Sequence, residues 1–83
     1  MPEYRAHLQV RLRQGVLDPA GQAVGHALRD LGFPARDVGV GKLLELTVEA
    51  ASPEAAEAEV RRMAAELLVN PVLEDYALEL VPR

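Results

Sequence analysis

The sequence predicts an α+β domain of the ferredoxin-like class, in which a four-stranded antiparallel sheet carries two helices on one face. Apolar residues alternate with polar ones in some stretches and recur at helical spacing in others, in the order strand–helix–strand–strand–helix–strand. Two right-handed strand–helix–strand units in 83 residues give the spatial strand order 4-1-3-2. The whole chain, residues 1–83, is then expected to form a single domain.

The first strand is the clearest element. Apolar side chains occupy alternate positions from Tyr4 to Leu12, as expected of a strand with one buried and one wet face. Its wet side is basic, whereas the third and fourth strands carry acidic residues there, namely Glu45, Glu49, Asp75 and Glu79. The predicted order places the basic strand between the two acidic ones, where cross-strand pairs attract. The first strand is therefore expected not to be an edge strand.

The first helix has recognisable start and stop signals. Asp18 can accept hydrogen bonds from the free N–H groups of the first turn, Pro19 suits the first helical position, and Gly32 suits the left-handed end. Between them, an apolar stripe is expected to face the sheet: Ala23, Val24, Ala27, Leu28 and Leu31. Because many of these residues are small, the helix is expected to lie close to whatever it covers.

The middle of the chain predicts a hairpin. Residues 37–42 and 43–49 are interpreted as two strands that reverse at or near Gly41-Lys42. Glycine is a poor strand residue unless a bulge or a close backbone approach requires it, so Gly39 and Gly41 mark such places. The core-facing residues of the second of these strands are Leu44, Leu46 and Val48.

The second helix begins at Ser52-Pro53 and is expected to stop before Asn70-Pro71, since proline cannot continue a helix. Its expected inward residues are Ala56, Val60, Met63, Ala64 and Leu67, and its expected outer ion pairs are Glu57–Arg61 and Arg62–Glu66. After Pro71 the apolar period changes to two, which predicts a last strand that runs to about Val81.

Composition excludes several classes of function. Nine basic and thirteen acidic residues give a net charge of −4, and only three residues are aromatic, so a nucleic-acid binder is not expected. No apolar run approaches the ~18 residues that a membrane span needs. Cysteine is absent, and the start of the sequence shows no export signal, which together are compatible with a cytoplasmic protein.

No reactive constellation is visible in the sequence. His7 and His26 have no second ligand at metal-binding spacing, and Ser52 is used as a helix cap. Glu74 and Asp75 are adjacent strand residues, which point to opposite faces and cannot share a proton. Gly39-Val40-Gly41-Lys42 lacks phosphate-loop spacing; it is either a plain hairpin or a means of projecting Lys42 to an acidic or phosphate-bearing partner. No catalytic, cofactor-binding or metal-binding residue is predicted.

The sheet face without helices is expected to favour at least a dimer.

Three segments stand out together: Gly15-Val16-Leu17-Asp18-Pro19-x-Gly21 with Ala23-Val24; Val40-Gly41-Lys42-x-x-Glu45-Leu46; and Leu67-Leu68-x-Asn70-Pro71-Val72-Leu73-Glu74-Asp75-Tyr76. In this order and spacing they closely resemble the PurS family, the small subunits of phosphoribosylformylglycinamidine (FGAM) synthase. The resemblance covers essentially the whole chain. Gly39 stands where the family often has arginine, and Ala64 follows Met63 where the family often has cysteine.

The resemblance implies a non-catalytic assembly subunit of de novo purine synthesis that works as a homodimer or higher oligomer. It implies two larger partners: a synthetase subunit that binds ATP and substrate, and a glutaminase subunit that releases ammonia. The complex would use ATP, Mg and glutamine, and this chain would bind no cofactor itself. The expected partner contacts are Lys42, Asn70, Glu74, Asp75 and Tyr76, because they are polar and close to turns.

A second hypothesis is a free-standing small-molecule sensor of the ACT type. Such domains share this order of strands and helices and also pair into dimers. A sensor would bind an amino acid or a nucleotide by itself, whereas a bridging subunit would bind neither without its larger partners.

Overall fold

The computed structural model of the chain describes residues 1–82 and confirms the α+β class. The elements are β1 (Glu3–Leu12), α1 (Pro19–Asp30), β2 (Lys42–Glu49), α2 (Pro53–Met63), a π-helical turn (Ala64–Leu68) and β3 (Glu74–Pro82). No helix within the described part of the chain is long and apolar enough to cross a membrane.

The sheet has β1 at its centre. Its order is β2-β1-β3, with both pairings antiparallel, and Leu8 lies opposite Leu44 on one side and Leu78 on the other. The wet face carries the expected cross-strand charge pair, in which Arg5 Nη2 lies 3.0 Å from Glu45 Oε2. The prediction that the first strand is not an edge strand is therefore confirmed.

The prediction of a four-stranded sheet in the order 4-1-3-2 is wrong. Residues 37–41 form no strand, and the chain enters β2 at Lys42 without a hairpin. Two local contacts fix residues 37–41 on a path that does not form a separate strand. The backbone N–H of Val40 donates to Asp18 Oδ2 over 3.0 Å, and Gly41 passes so close to β1 that an added Cβ would lie 2.5 Å from the Val10 carbonyl oxygen.

The core lies between the sheet and α2. Ala56, Val60 and Ala64 of the second helical segment have no exposed surface, and they pack with the inward side chains of β1, which are Tyr4, Ala6, Leu8 and Val10. The inward residues of the two outer strands are more exposed: Leu44, Leu46, Tyr76, Leu78 and Leu80 are only partly buried. One helix thus covers the central strand well and the flanks incompletely.

The prediction that both helices cover the sheet is also wrong, because α1 does not pack on it. Within residues 1–82, no Cα atom of α1 lies within 8 Å of a Cα atom of another helix or strand. The buried residues of α1 are Gly21 and Gly25, which pack against Val38 of the segment before β2. The predicted inward stripe of α1 is instead largely exposed, and Leu31 retains 74% of its surface.

The end of the second helix differs from the prediction at Leu67, which is 84% exposed rather than inward. The cause is the π-helical turn, in which the Val69 N–H donates to the Ala64 carbonyl over 3.0 Å, five residues back. The extra residue in the turn rotates the following side chains. Val69 is consequently buried and Leu68 half-buried. The Glu57–Arg61 pair is present, whereas Arg62 pairs with Glu59.

Candidate partner-contact site

The predicted contact residues lie around one end of the sheet. β1 ends there, and β2 and β3 begin there, so Lys42 lies opposite Val10 and Glu74 lies opposite Leu12. Lys42 Nζ is 3.9 Å from Glu74 Oε2, a long ion pair across the end of the sheet. Lys42 and Glu74 are therefore brought together by folding although they are distant in sequence.

Asn70 and Glu74 close the turn before β3. The Asn70 side-chain oxygen accepts hydrogen bonds from the N–H groups of Val72 (3.0 Å) and Leu73 (3.3 Å). Glu74 Oε1 accepts from the N–H of Asn70 over 2.8 Å. Such short-range side-chain bonds are how asparagine stabilises turns. Both residues thus have a local structural role, and Glu74 links this turn to Lys42.

Asp75 and Tyr76 lie on opposite faces of β3, as the strand period requires. Asp75 is on the wet face, where its Oδ1 is 2.9 Å from Arg13 Nη1. Tyr76 is on the helix face, where its hydroxyl accepts from Arg61 Nη1 over 3.2 Å and its ring centroid lies 5.9 Å from the guanidinium carbon. This hydrogen bond is the main reason that the pKa of Arg61 is raised.

Arg13 organises the same end of the sheet, a role the sequence did not reveal. Its backbone N–H donates to the Leu73 carbonyl over 2.8 Å, and its Nε and Nη2 donate to the Pro71 carbonyl over 3.2 and 2.9 Å. With the Asp75 ion pair, these contacts fix the turn before β3 against the end of β1. The pattern of β1 indicated only that Arg13 faces water.

Asp18 holds α1 to the chain that leads into β2. Its Oδ1 accepts from the Gly21 N–H over 2.9 Å, which is the predicted cap. Its Oδ2 accepts from the Val40 N–H over 3.0 Å, a contact that the sequence did not indicate. These two hydrogen bonds lower the pKa of the Asp18 carboxyl below 3.8, and the bond from Val40 has the larger effect.

The link through Asp18 is expected to weaken in acid. A carboxyl whose folded-state pKa is lowered stabilises the structure fully above its ordinary pKa, here 3.8, and loses that effect as pH falls through the lowered value. The exchange protection of the Val40 amide, followed by NMR, is therefore expected to be constant above about pH 5 and to fall below 3.8. Asp18→Ala is expected to lack that protection at every pH. Equal protection of Val40 in both chains would contradict the assignment.

Apolar surface lies next to the polar contacts. Leu67 on the π-helical turn and Val72 and Leu73 in the turn before β3 are exposed. Exposed apolar residues beside fixed polar groups are typical of a surface that is covered by a partner. Among residues 1–82, no charged side chain is buried and no three His, Asp or Glu residues are grouped to hold a metal ion. Within this range, the features that define the candidate site are therefore its hydrogen bonds, its ion pairs and its exposed apolar residues.

The family model for PurS, described as phosphoribosylformylglycinamidine (FGAM) synthase, matches residues 5–82. The chain belongs to the PurS family. A PurS subunit of FGAM synthase from Bacillus subtilis is 40% identical over 77 residues, which is 92% of this chain and 90% of that protein. The family match sets aside the alternative of a free-standing ACT-type sensor.

Solved PurS structures agree with this assignment. PurS from Thermus thermophilus is 46% identical with a TM-score of 0.79, over 94% of this chain and 96% of that one. A chain in the structure of PurLQS from Thermotoga maritima is 36% identical with a TM-score of 0.89, over 98% of this chain and all of that one. The PurS match includes the whole candidate site, from Asp18 and Lys42 to Tyr76.

Proposed function

We propose that this PurS-family subunit joins the ATP-dependent synthetase and the glutaminase subunits of FGAM synthase, and that it does so without chemistry of its own. The single observation that best supports this is the end of the sheet, where Lys42, Asn70, Glu74, Asp75 and Tyr76 converge beside exposed apolar residues. The similarity to a chain of PurLQS supports a place in such a complex.

The proposed contribution to the reaction is geometric. Ammonia released from glutamine at one subunit must reach the synthetase without being protonated to ammonium or lost to water. Exclusion of water and fixed orientation are sufficient to favour that transfer. A rigid spacer with a turn fixed by Arg13 and Asn70 is suited to hold two larger subunits in one arrangement. In this proposal ATP, Mg and glutamine are bound by the partner subunits.

The proposal includes self-association and a cytoplasmic location. A homodimer is supported by the exposed apolar face of α1 and by the two outer strands, each of which has one unpaired edge in residues 1–82. The absence of cysteine is consistent with a reducing compartment, in which disulfides would contribute nothing.

Lys42→Ala is the first test of the contact site. The ion pair with Glu74 is long and partly exposed, so its loss is expected to change the free energy of unfolding by less than about 1 kcal/mol. The loss of the cation is expected to weaken co-purification with the synthetase and glutaminase subunits, measured by size-exclusion chromatography of the mixed proteins.

The matched control is Arg62→Ala, which removes a cation from the outer side of α2, where it pairs only weakly with Glu59 at 3.6 Å. This variant is expected to enter the complex normally. Complex formation by Lys42→Ala at the level of the unaltered chain would remove Lys42 from the contact site.

A further inference from the structure

The outer edge of β3 carries unpaired backbone groups. Arg13 and Leu73 pair through the backbone, since the Arg13 N–H donates to the Leu73 carbonyl over 2.8 Å. The N–H groups of an antiparallel strand point alternately to its two sides, so those of Tyr76, Leu78 and Leu80 point away from β1. Within residues 1–82 no strand lies on that side and no acceptor bonds to these three groups. The edge is therefore a row of donors and acceptors that a further strand can satisfy.

The strand lacks the devices that usually protect such an edge. Exposed edge strands are commonly interrupted by a bulge or carry lysine or proline along their length. β3 runs for nine residues, Glu74–Pro82, and pairs with β1 in an unbroken register over all of them. It contains no basic residue, and its one proline is at the last position. Most of its length is thus open to the addition of a strand.

A cavity of about 230 Å³ lies beside the start of this edge. It is lined by residues of the second helical segment, among them Arg61, Ala65 and Val69, and by Asp75 and Tyr76 of β3. Because Asp75 and Tyr76 are on opposite faces of the strand, the cavity lies at the edge of β3. In recognition by strand addition, main-chain hydrogen bonds give affinity and pockets for alternate side chains give specificity. The edge and the cavity supply both.

The charges of β3 indicate which kind of strand fits. Its wet face carries Asp75 and Glu79, both exposed, and Glu79 has no ion-pair partner within residues 1–82. On the inner edge, β1 places Arg11 opposite Asp75 and His7 opposite Glu79. A strand with basic residues on its wet side is therefore complementary to β3. A second copy of β3 would add only further carboxylates, and like charges on neighbouring strands repel.

We propose that the outer edge of β3 receives an extended segment of one of the two larger subunits. This segment carries arginine or lysine at alternate positions on the wet side and places one large side chain in the cavity on the helix side. The inference rests on the proposed function and adds to it the surface and the chemistry of the partner segment. The homodimer is left to the other free surfaces of the chain.

The charge requirement is tested with two variants that make the same substitution. Glu79→Lys reverses the charge on the wet face of β3, and Glu59→Lys does so on the outer side of α2; both side chains are exposed, so neither change is expected to alter folding. The labelled chain is titrated with an equimolar mixture of the synthetase and glutaminase subunits and followed by fluorescence anisotropy. Glu79→Lys is expected to raise the Kd on the order of tenfold, because an attraction between neighbouring strands becomes a repulsion. Glu59→Lys is expected to leave it unchanged.

The strand pairing is tested by amide exchange. Exchange is started in the assembled complex, quenched in acid and measured on the chain by NMR. The N–H groups of Tyr76, Leu78 and Leu80 are expected to exchange freely in the chain alone and to be protected in the complex. Protection already in the chain alone would assign the edge to a second copy and overturn the proposal.

Two further outcomes separate this inference from the proposed function. A complex that forms with these three amides unprotected, or that binds Glu79→Lys as tightly as the unaltered chain, would overturn the strand addition and leave the bridging role intact. A chain that forms no complex with the two larger subunits would overturn both.

Discussion

Leu8→Ala is expected to lower the free energy of unfolding by about 2–5 kcal/mol, through lost burial and the cavity left behind. Leu8 has no exposed surface, and it lies in the central strand between Leu44 and Leu78. A domain of this size has little stability to spare, so the variant is expected to melt far below the unaltered chain. Urea unfolding followed by circular dichroism measures the difference.

The control for this variant is Leu43→Ala. Leu43 is on the open face of the same sheet and is 54% exposed. Its truncation is expected to change the free energy of unfolding by no more than about 0.5 kcal/mol. Equal effects of the two leucines would mean that the buried side of the sheet is not the one described.

Gly41→Ala is expected to destabilise the chain by about 1–3 kcal/mol, because there is no space for the added methyl group. The new Cβ would lie 2.5 Å from the Val10 carbonyl oxygen, and that oxygen belongs to the backbone of the central strand and cannot move aside. Gly39→Ala is the matched control, since its nearest neighbour would be Asp18 Oδ2 at 3.9 Å. Thermal unfolding of both variants is the measurement.

Gly39→Ala is expected to leave the free energy of unfolding unchanged or to raise it by up to about 1 kcal/mol, because alanine makes the unfolded chain less flexible. The comparison tests whether residues 37–41 follow the path described, because a hairpin with its reversal at Gly41-Lys42 would have the glycine in open space. Similar unfolding of the two variants would argue for the hairpin.

The sequence predicted features that depend on neighbouring residues. The caps at Asp18 and Ser52, the prolines that follow them and the left-handed Gly32 are all present. The alternation in β1 correctly identified its buried side, and the predicted strand order, with its opposite charges on neighbouring strands, correctly gave its central position. Family membership was also accessible, because the three PurS-like segments are specific in combination.

Features that depend on distant parts of the chain were missed. The periodicity of α1 shows that the helix has an apolar side, but it does not show whether this chain or another covers it. The sequence marks Gly41 as a place of a bulge or a close backbone approach, but it does not show that the neighbour is Val10 or that the chain continues into β2 without reversing. The π-helical turn cannot be recognised from the apolar spacing, which therefore predicts an inward Leu67, although this side chain is exposed. Arg13 fixes the turn before β3 by donating to the Pro71 carbonyl, which is 58 residues later in the chain.

The most direct test of the bridging role compares two nitrogen sources. FGAM formation is measured in a mixture of synthetase and glutaminase subunits, with either glutamine or a high concentration of ammonium salt, with and without this chain. The account predicts that omission of the chain abolishes most of the glutamine-driven rate and leaves the ammonium-driven rate largely intact. Equal glutamine-driven rates with and without the chain, or turnover by the chain alone, would contradict it.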